Sequence, residues 1–309
     1  MITIKNLSKS FGEIEALKNI IFNINEGEIF GLLGPNGAGK TTTLNIIATI
    51  LEPSTGEVLV EGLDVRKQKD KIRSLIGVVP QEVSIYPQLT AEENLYLFGR
   101  LFGLRGKKLK QKVRWGLSLA ALGSRAHNRI ETYSGGMKRR INIACSLIYE
   151  PKILLLDEPT VGIDPQSRHL IYELIHDLNN KGISILLSTH YIEEAEKLCH
   201  RVAIIDEGRL IALDTPEKLI SMVGKHDLIE LEAEEFPNNI EDMVKGNFPN
   251  SKPLVRDEKL FMTVEDSNRQ LPTVIKTLIS EKISIISARV RKANLESVFL
   301  HLTGKELRE

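Results

Sequence analysis

Cysteine, charge imbalance and long apolar runs are what this sequence lacks. Only Cys145 and Cys199 occur in 309 residues, neither in a Cys-x-x-Cys pair, so no disulfide framework is expected. Cys145 falls in an apolar helical run and reads as a buried thiol. Lysine plus arginine equal aspartate plus glutamate at 41 each, leaving no net field to draw a polyanion or an anionic membrane surface. Nucleic acid is therefore not expected as a partner. The opening MITIKNLSKSFG has no apolar signal core, and no apolar run approaches the ~18 residues that a membrane span needs. By itself the chain is expected to be soluble and cytoplasmic. Internal repeats and low-complexity tracts are missing too.

A hydrophobic content of 42% in this length is enough for one large domain and a small one. Alternating Ile2 and Ile4, then Ile20, Phe22 and Ile24, with turn signals at Gly12 and Glu26-Gly27, predict half-buried antiparallel strands. EIFGLLG, KILLLDEP and ISILLSTH are different: near-continuous apolar runs ending in polar residues, as in parallel strands covered on both faces. Each leads into a helical pattern, which predicts an α/β nucleotide-binding layer with its chemistry at the strand C-terminal ends.

Between the first two of these runs lies a helical insertion, about residues 82–150. Thr90 with Glu93 forms a capping box, and a second helix runs from about Lys108 to Leu122 with Gly123 as its stop. The texture changes near Val223-Gly224-Lys225. Beyond it a strand, helix, two strands, helix, strand and final helix predict a small α+β domain, for which a ferredoxin-like arrangement is one option. The expected domains are thus 1–222 and 225–309.

Gly34-Pro35-Asn36-Gly37-Ala38-Gly39-Lys40-Thr41 satisfies G-x-x-x-x-G-K-[ST], after an apolar strand and before a helical pattern. The glycines let backbone N–H groups turn toward phosphates, and the helix adds its positive end. Lys40 is expected to reach the β- and γ-phosphates and the Thr41 hydroxyl to ligate Mg²⁺, with Thr42 assisting the phosphate contacts. At the end of KILLLDEP, Asp157 and Glu158 repel one another unless a cation compensates. Asp157 is assigned to the metal and Glu158 to the attacking water. Pro159 restricts Glu158 to an extended backbone, which fixes its aim. Singly, His190 at the end of ISILLSTH, Gln81 in a loop and Phe11 in a turn are ordinary hydrogen-bonding or packing residues.

YSGGMKRR sets Ser134, Gly135 and Gly136 at a helix start and follows them with three cations. Each cation in a first turn opposes the helix dipole by a few tenths of a kcal/mol unless an anion is near. The segment therefore reads as an anion site. Lys138 can help hold that anion, while Arg139 and Arg140 read equally as solvated or as paired with acids.

Taken in order, Gly34 to Thr41, Gln81, Ser134 to Gly136, Ile153 to Glu158, Gly162-Ile163-Asp164 and His190 resemble the ATP-binding cassette (ABC) transporter ATPase family over about residues 1–220. The resemblance implies an antiparallel β subdomain, a RecA-like core and a helical subdomain. It also assigns roles. Phe11 stacks on adenine, Gln81 joins Thr41 and Asp157 at the metal and senses the γ-phosphate, and His190 contacts that phosphate. Lys40, Gln81, Glu158 and His190 form the catalytic set. Ser134, Gly135, Gly136 and Asp164 serve the nucleotide of the opposite subunit, so ATP and Mg²⁺ are held between two copies. A separate transmembrane permease is implied, which would keep the chain peripheral on the inner face of the cell membrane.

Tyr133 and Met137 depart from the common Leu-Ser-Gly-Gly-Gln form, which is expected to affect packing more than chemistry. The C-terminal portion resembles accessory domains of exporter ATPases. Its last helix reads equally as generic packing on its own sheet or as a dimer-stabilising element. The rival readings are a soluble ABC ATPase acting on ribosomes or DNA, and a regulatory subunit without turnover. One cassette, balanced charge and the absence of heptads weigh against the first; the complete catalytic set weighs against the second.

Overall fold

A computed structural model describes residues 1–222, 227–237, 239–256, 259–264, 266–291 and 294–304. The chain divides into two compact units, the first Met1–Thr215 and the second within Pro216–Leu307. The texture change at Val223-Gly224-Lys225 lies outside the described residues.

The first unit opens with β1 (Ile2–Phe11) and β2 (Ile14–Ile24), then β3 (Ile29–Leu33) and α1 (Lys40–Ile47). β4 (Thr55–Val60), β5 (Leu63–Asp64), α2 (Lys69–Leu75) and β6 (Ile76–Val79) follow, and then the helical insertion: α3 (Ala91–Leu101), α4 (Gly106–Leu119) and α5 (Gly135–Ser146). β7 (Ile153–Asp157), α6 (Pro165–Asn180), β8 (Ser184–Thr189), α7 (Ile192–Leu198), β9 (Arg201–Asp206) and β10 (Arg209–Asp214) complete it.

Two sheets result. The first, β2-β1-β4-β5, is antiparallel, and Ile2 faces Ile24 across it and Ile4 faces Phe22, all four buried. The second runs β10-β9-β3-β8-β7-β6, parallel except for the β9–β10 hairpin. Every residue of β3, β7 and β8 is buried, which is why these runs are continuously apolar rather than alternating. Isoleucines of β1, β2 and α1 share one core with Phe30 and Leu32 of β3 and Ile153 and Leu155 of β7.

The helical insertion has its own core, built on Leu95, Val113, Leu117, Ile141 and Ile148. Thr90 and Glu93 make both bonds of the capping box. Gly123 does not stop α4. The left-handed residue after that helix is Ala121, at φ 53°, and Gly123 instead opens a 3₁₀ turn. Tyr133 is buried in this core and donates its hydroxyl to the Arg125 carbonyl at 2.6 Å. The tyrosine that departs from the common leucine is thus held by a part-buried hydrogen bond that leucine cannot make.

The second unit contains α8 (Pro216–Met222), β11 (Asp227–Ala233), α9 (Ile240–Asn247), β12 (Leu254–Arg256), β13 (Lys259–Val264), α10 (Ser267–Ser280), β14 (Ile285–Arg291) and α11 (Leu295–Thr303). Its sheet, β12-β13-β11-β14, is antiparallel throughout. Ile229, Leu231, Met262, Val274 and Leu278 lie in its core. α8 packs against α11 and belongs to this unit, although the sequence places it before the texture change.

Leu155 sits at the centre of β7, fully buried between the sheet's two covered faces. Leu155→Ala is expected to destabilise the first unit by about 2–5 kcal/mol, read from the midpoint of urea unfolding at unchanged slope. A cost below about 1 kcal/mol would contradict a close-packed environment at this position.

Candidate functional site

Strand register gathers the candidate residues. Leu33 of β3 pairs with Thr189 of β8, and Asp157 of β7 pairs with Ser188. The loop after β3, the carboxylates after β7 and the histidine after β8 therefore emerge together at the C-terminal edge of one parallel sheet.

The Gly34–Gly39 loop wraps the start of α1. Gly39 has φ 104°, and a Cβ there would lie 2.8 Å from the Ala16 carbonyl oxygen and 2.5 Å from the Leu17 side chain. Only glycine satisfies both the dihedral and the close approach. Lys40 is 4% exposed and donates to the carbonyls of Gly34 at 2.7 Å and Pro35 at 3.1 Å. Its Nζ also stands 3.2 Å from Glu158 Oε1. Burial holds the ammonium below its ordinary pKa, and the Glu158 carboxylate opposes that shift.

The second carboxylate oxygen of Glu158 is 3.2 Å from His190 Nδ1, an approach without hydrogen-bond alignment. Glu158 thus lies between an ammonium and an imidazole. Its backbone corrects the expectation from Pro159. The φ is 45°, in the left-handed region rather than the extended one. Such a residue costs of order 1–3 kcal/mol and persists only when its surroundings fix it. Here the fixing group is Ser188, whose carbonyl and hydroxyl oxygens both accept from the Glu158 N–H at 3.1 Å.

Ser188 also donates its hydroxyl to Asp157 Oδ1, and Thr41 Oγ1 donates to the same carboxylate oxygen at 3.2 Å. No motif in the sequence marks Ser188, the first residue of STH; its role depends on the pairing of β7 with β8. Ala16, Asn36, Gly37, Gly39, Lys40, Thr41, Thr42, Gln81 and Glu158 line one cleft of about 350 Å³. Phe11 ends β1 at the hairpin tip, 47% exposed, with Lys9 Nζ 4.9 Å from its ring centroid.

The structure does not bring the Ser-Gly-Gly segment into that cleft. Ser134 caps α5 by accepting from the Met137 N–H at 3.3 Å. A Cβ on Gly136 would lie 2.3 Å from that of Ser167, so α5 and α6 approach as closely as they do because this residue is glycine. Asp164 caps α6 by accepting from the Ser167 N–H at 2.9 Å, and that hydrogen bond holds its carboxyl below the usual range. The cations of YSGGMKRR also need correcting. Arg139 is neither solvated nor paired with an acid: it is 2% exposed and donates to the carbonyls of Pro80 and Gln81. Arg140 is half-buried and donates to the Ala120 carbonyl at 2.5 Å.

A glycine-rich phosphate loop, a strand-end carboxylate pair and a histidine on one sheet edge define a P-loop nucleoside-triphosphatase site. Comparison with known proteins narrows the class. Residues 17–161 match the family model described as ABC transporter. The linearmycin resistance ATP-binding protein LnrL of Bacillus subtilis is 40% identical, covering 100% of both chains. A Nod factor export ATP-binding protein I of Paraburkholderia xenovorans is 39% identical, over 98% of this chain and 97% of its own. Among solved structures, a dimeric post-hydrolysis state of the ATP-binding cassette MJ0796 bound to ADP and Pi superposes with a TM-score of 0.63 at 33% identity. It covers 70% of this chain and 98% of that one. The chain belongs to the ABC transporter family, as an ATP-binding subunit with ATPase activity.

Ser188→Ala removes the hydroxyl shared by Asp157 and the Glu158 N–H. We expect kcat for ATP hydrolysis to fall about tenfold or more with ATP affinity within about threefold of wild type, measured by steady-state turnover and equilibrium nucleotide binding. Wild-type turnover would remove Ser188 from the site.

Proposed function

We propose that this chain hydrolyses MgATP as one of two copies that close on two nucleotides and drive a separate transmembrane permease in export. The observation that carries the reading is Glu158, held at the cleft between Lys40 and His190. Lys40 binds the β- and γ-phosphates, and Glu158 accepts the proton of the attacking water. His190 and Gln81 hold the γ-phosphate, and Phe11 stacks on the adenine. Gly34 to Gly39, with Pro35, Asn36 and Ala38 between the glycines, and Thr42 cradle the phosphates.

The donor set fits Mg²⁺: a Thr41 hydroxyl and an Asp157 carboxylate oxygen 3.2 Å apart, with Gln81 on the same cleft, are the hard oxygen ligands this ion takes alongside phosphates. When bound, Mg²⁺ neutralises charge on the phosphate oxygens. Thr41, Asp157 and Gln81 orient it.

Ser134, Gly135, Gly136 and Asp164 lie outside their own chain's cleft. Their place in the proposal is on the nucleotide of the opposite copy, where the N–H groups opening α5 point at its γ-phosphate. Dimeric cassettes among the solved relatives support this pairing. Export is favoured by relatives described as Nod factor export and as linearmycin or daunorubicin resistance proteins. Among the described residues no helix is long and apolar enough to cross a membrane, so a separate permease would supply the pathway and hold the chain at the inner membrane face. The cassette would be the first unit, Met1–Thr215, rather than 1–222, and the second unit a ferredoxin-like accessory domain with α8 attached, its β11 to β14 in β-α-β-β-α-β succession.

Glu158→Gln is expected to keep ATP binding within about threefold, lower turnover by about 10²–10⁴-fold, and accumulate an ATP-bound dimer on size-exclusion chromatography. Normal turnover in that variant would contradict Glu158 as the base.

A further inference from the structure

Burial of Arg139 is the least expected feature of the signature helix. A cation one turn into α5 lies near the positive end of the helix, and 2% exposure removes most of its hydration as well. No carboxylate lies within ion-pair reach of its guanidinium among the described residues. What compensates is a fork of hydrogen bonds to main-chain carbonyls of a different segment, Nη1 to Pro80 at 2.6 Å and Nη2 to Gln81. The Asp157 field assists by favouring the charged form against desolvation.

Residues 80–84 form neither helix nor strand after β6 ends at Val79. Gln81 lines the candidate nucleotide cleft, and its carbonyl is held by Arg139. Arg139 lies five residues past Ser134, on the helix whose N-terminal residues are assigned to the opposite copy's nucleotide. The flanking cations go elsewhere: Arg140 turns to Ala120, and Lys138 is only half-buried.

We propose that Arg139 is a positioning residue that ties the Gln81 main chain to the N-terminal half of α5. The helix start facing one nucleotide and the glutamine facing the other then move as one body. This rests on the proposed part of Gln81 in hydrolysis. Arg139 itself is buried and does not line the cleft. A planar fork is what the geometry requires, so lysine, with the same charge and no fork, replaces it incompletely.

A double-mutant cycle tests the coupling in the full-length chain. Gln81→Ala and Arg139→Gln are each expected to lower kcat about tenfold while ATP binding stays within about twofold. Their combination is expected to fall no more than about threefold below the weaker single variant, because each removes the same positioned group. Arg139→Lys should retain an intermediate kcat, and it carries the same cycle if Arg139→Gln does not fold. Losses that multiply to about a hundredfold would overturn the proposal alone, since a merely structural arginine adds its damage to that of Gln81→Ala. Wild-type turnover in Gln81→Ala would overturn the reading of Gln81, and with it the proposal.

Discussion

The contact on which the site depends is the buried meeting of Glu158 with Lys40 and His190. Each Glu158 oxygen has one cationic or polar neighbour at 3.2 Å, and neither side chain of the Lys40–Glu158 pair exceeds 6% exposure. Removing one member of such a pair strands the other charge, typically at a cost of about 3–5 kcal/mol. The pair therefore ties the start of α1 to the segment that follows β7. In the proposed mechanism an incoming phosphate would compete for Lys40 and, in taking the ammonium, would leave the Glu158 carboxylate beside His190 and available to water.

That arrangement follows from strand order. β3, β8 and β7 are neighbours, so the phosphate loop, the histidine and the carboxylates lie at adjacent strand ends without a long connection. Ser188 holds the remaining freedom by joining Asp157 and the strained backbone of Glu158 through one hydroxyl. With this left-handed φ the Glu158 carboxylate stands 3.2 Å from both Lys40 and His190. The surrounding bonds offset a local cost of about 1–3 kcal/mol.

Much of this was legible beforehand because the signals are local. Continuous apolar runs marked β3, β7 and β8; the spacing of Gly34, Gly39 and Lys40 marked the loop; Thr90 and Glu93 marked the start of α3. What stayed hidden depends on contacts distant in sequence. β6 and β9 join the parallel sheet through pairings no local pattern reports. Pro159 argues locally for an extended Glu158, and tertiary hydrogen bonds from Ser188 override it. Arg139 looks like a surface cation in sequence because its partners are carbonyls nearly sixty residues away, and main-chain acceptors have no residue signature. Ala121 in place of Gly123 as the left-handed residue after α4 shows the same limit at a helix end.

The Ser-Gly-Gly segment gives the account its central claim. It has the form of a phosphate site yet lies outside the cleft of its own chain, which is the basis for proposing that hydrolysis requires two copies. The most direct measurement is ATP turnover per chain as a function of protein concentration, across the range in which the purified chain passes from monomer to dimer. Turnover per chain should rise with concentration and level off as dimers saturate. Turnover independent of concentration in a strictly monomeric preparation would contradict it.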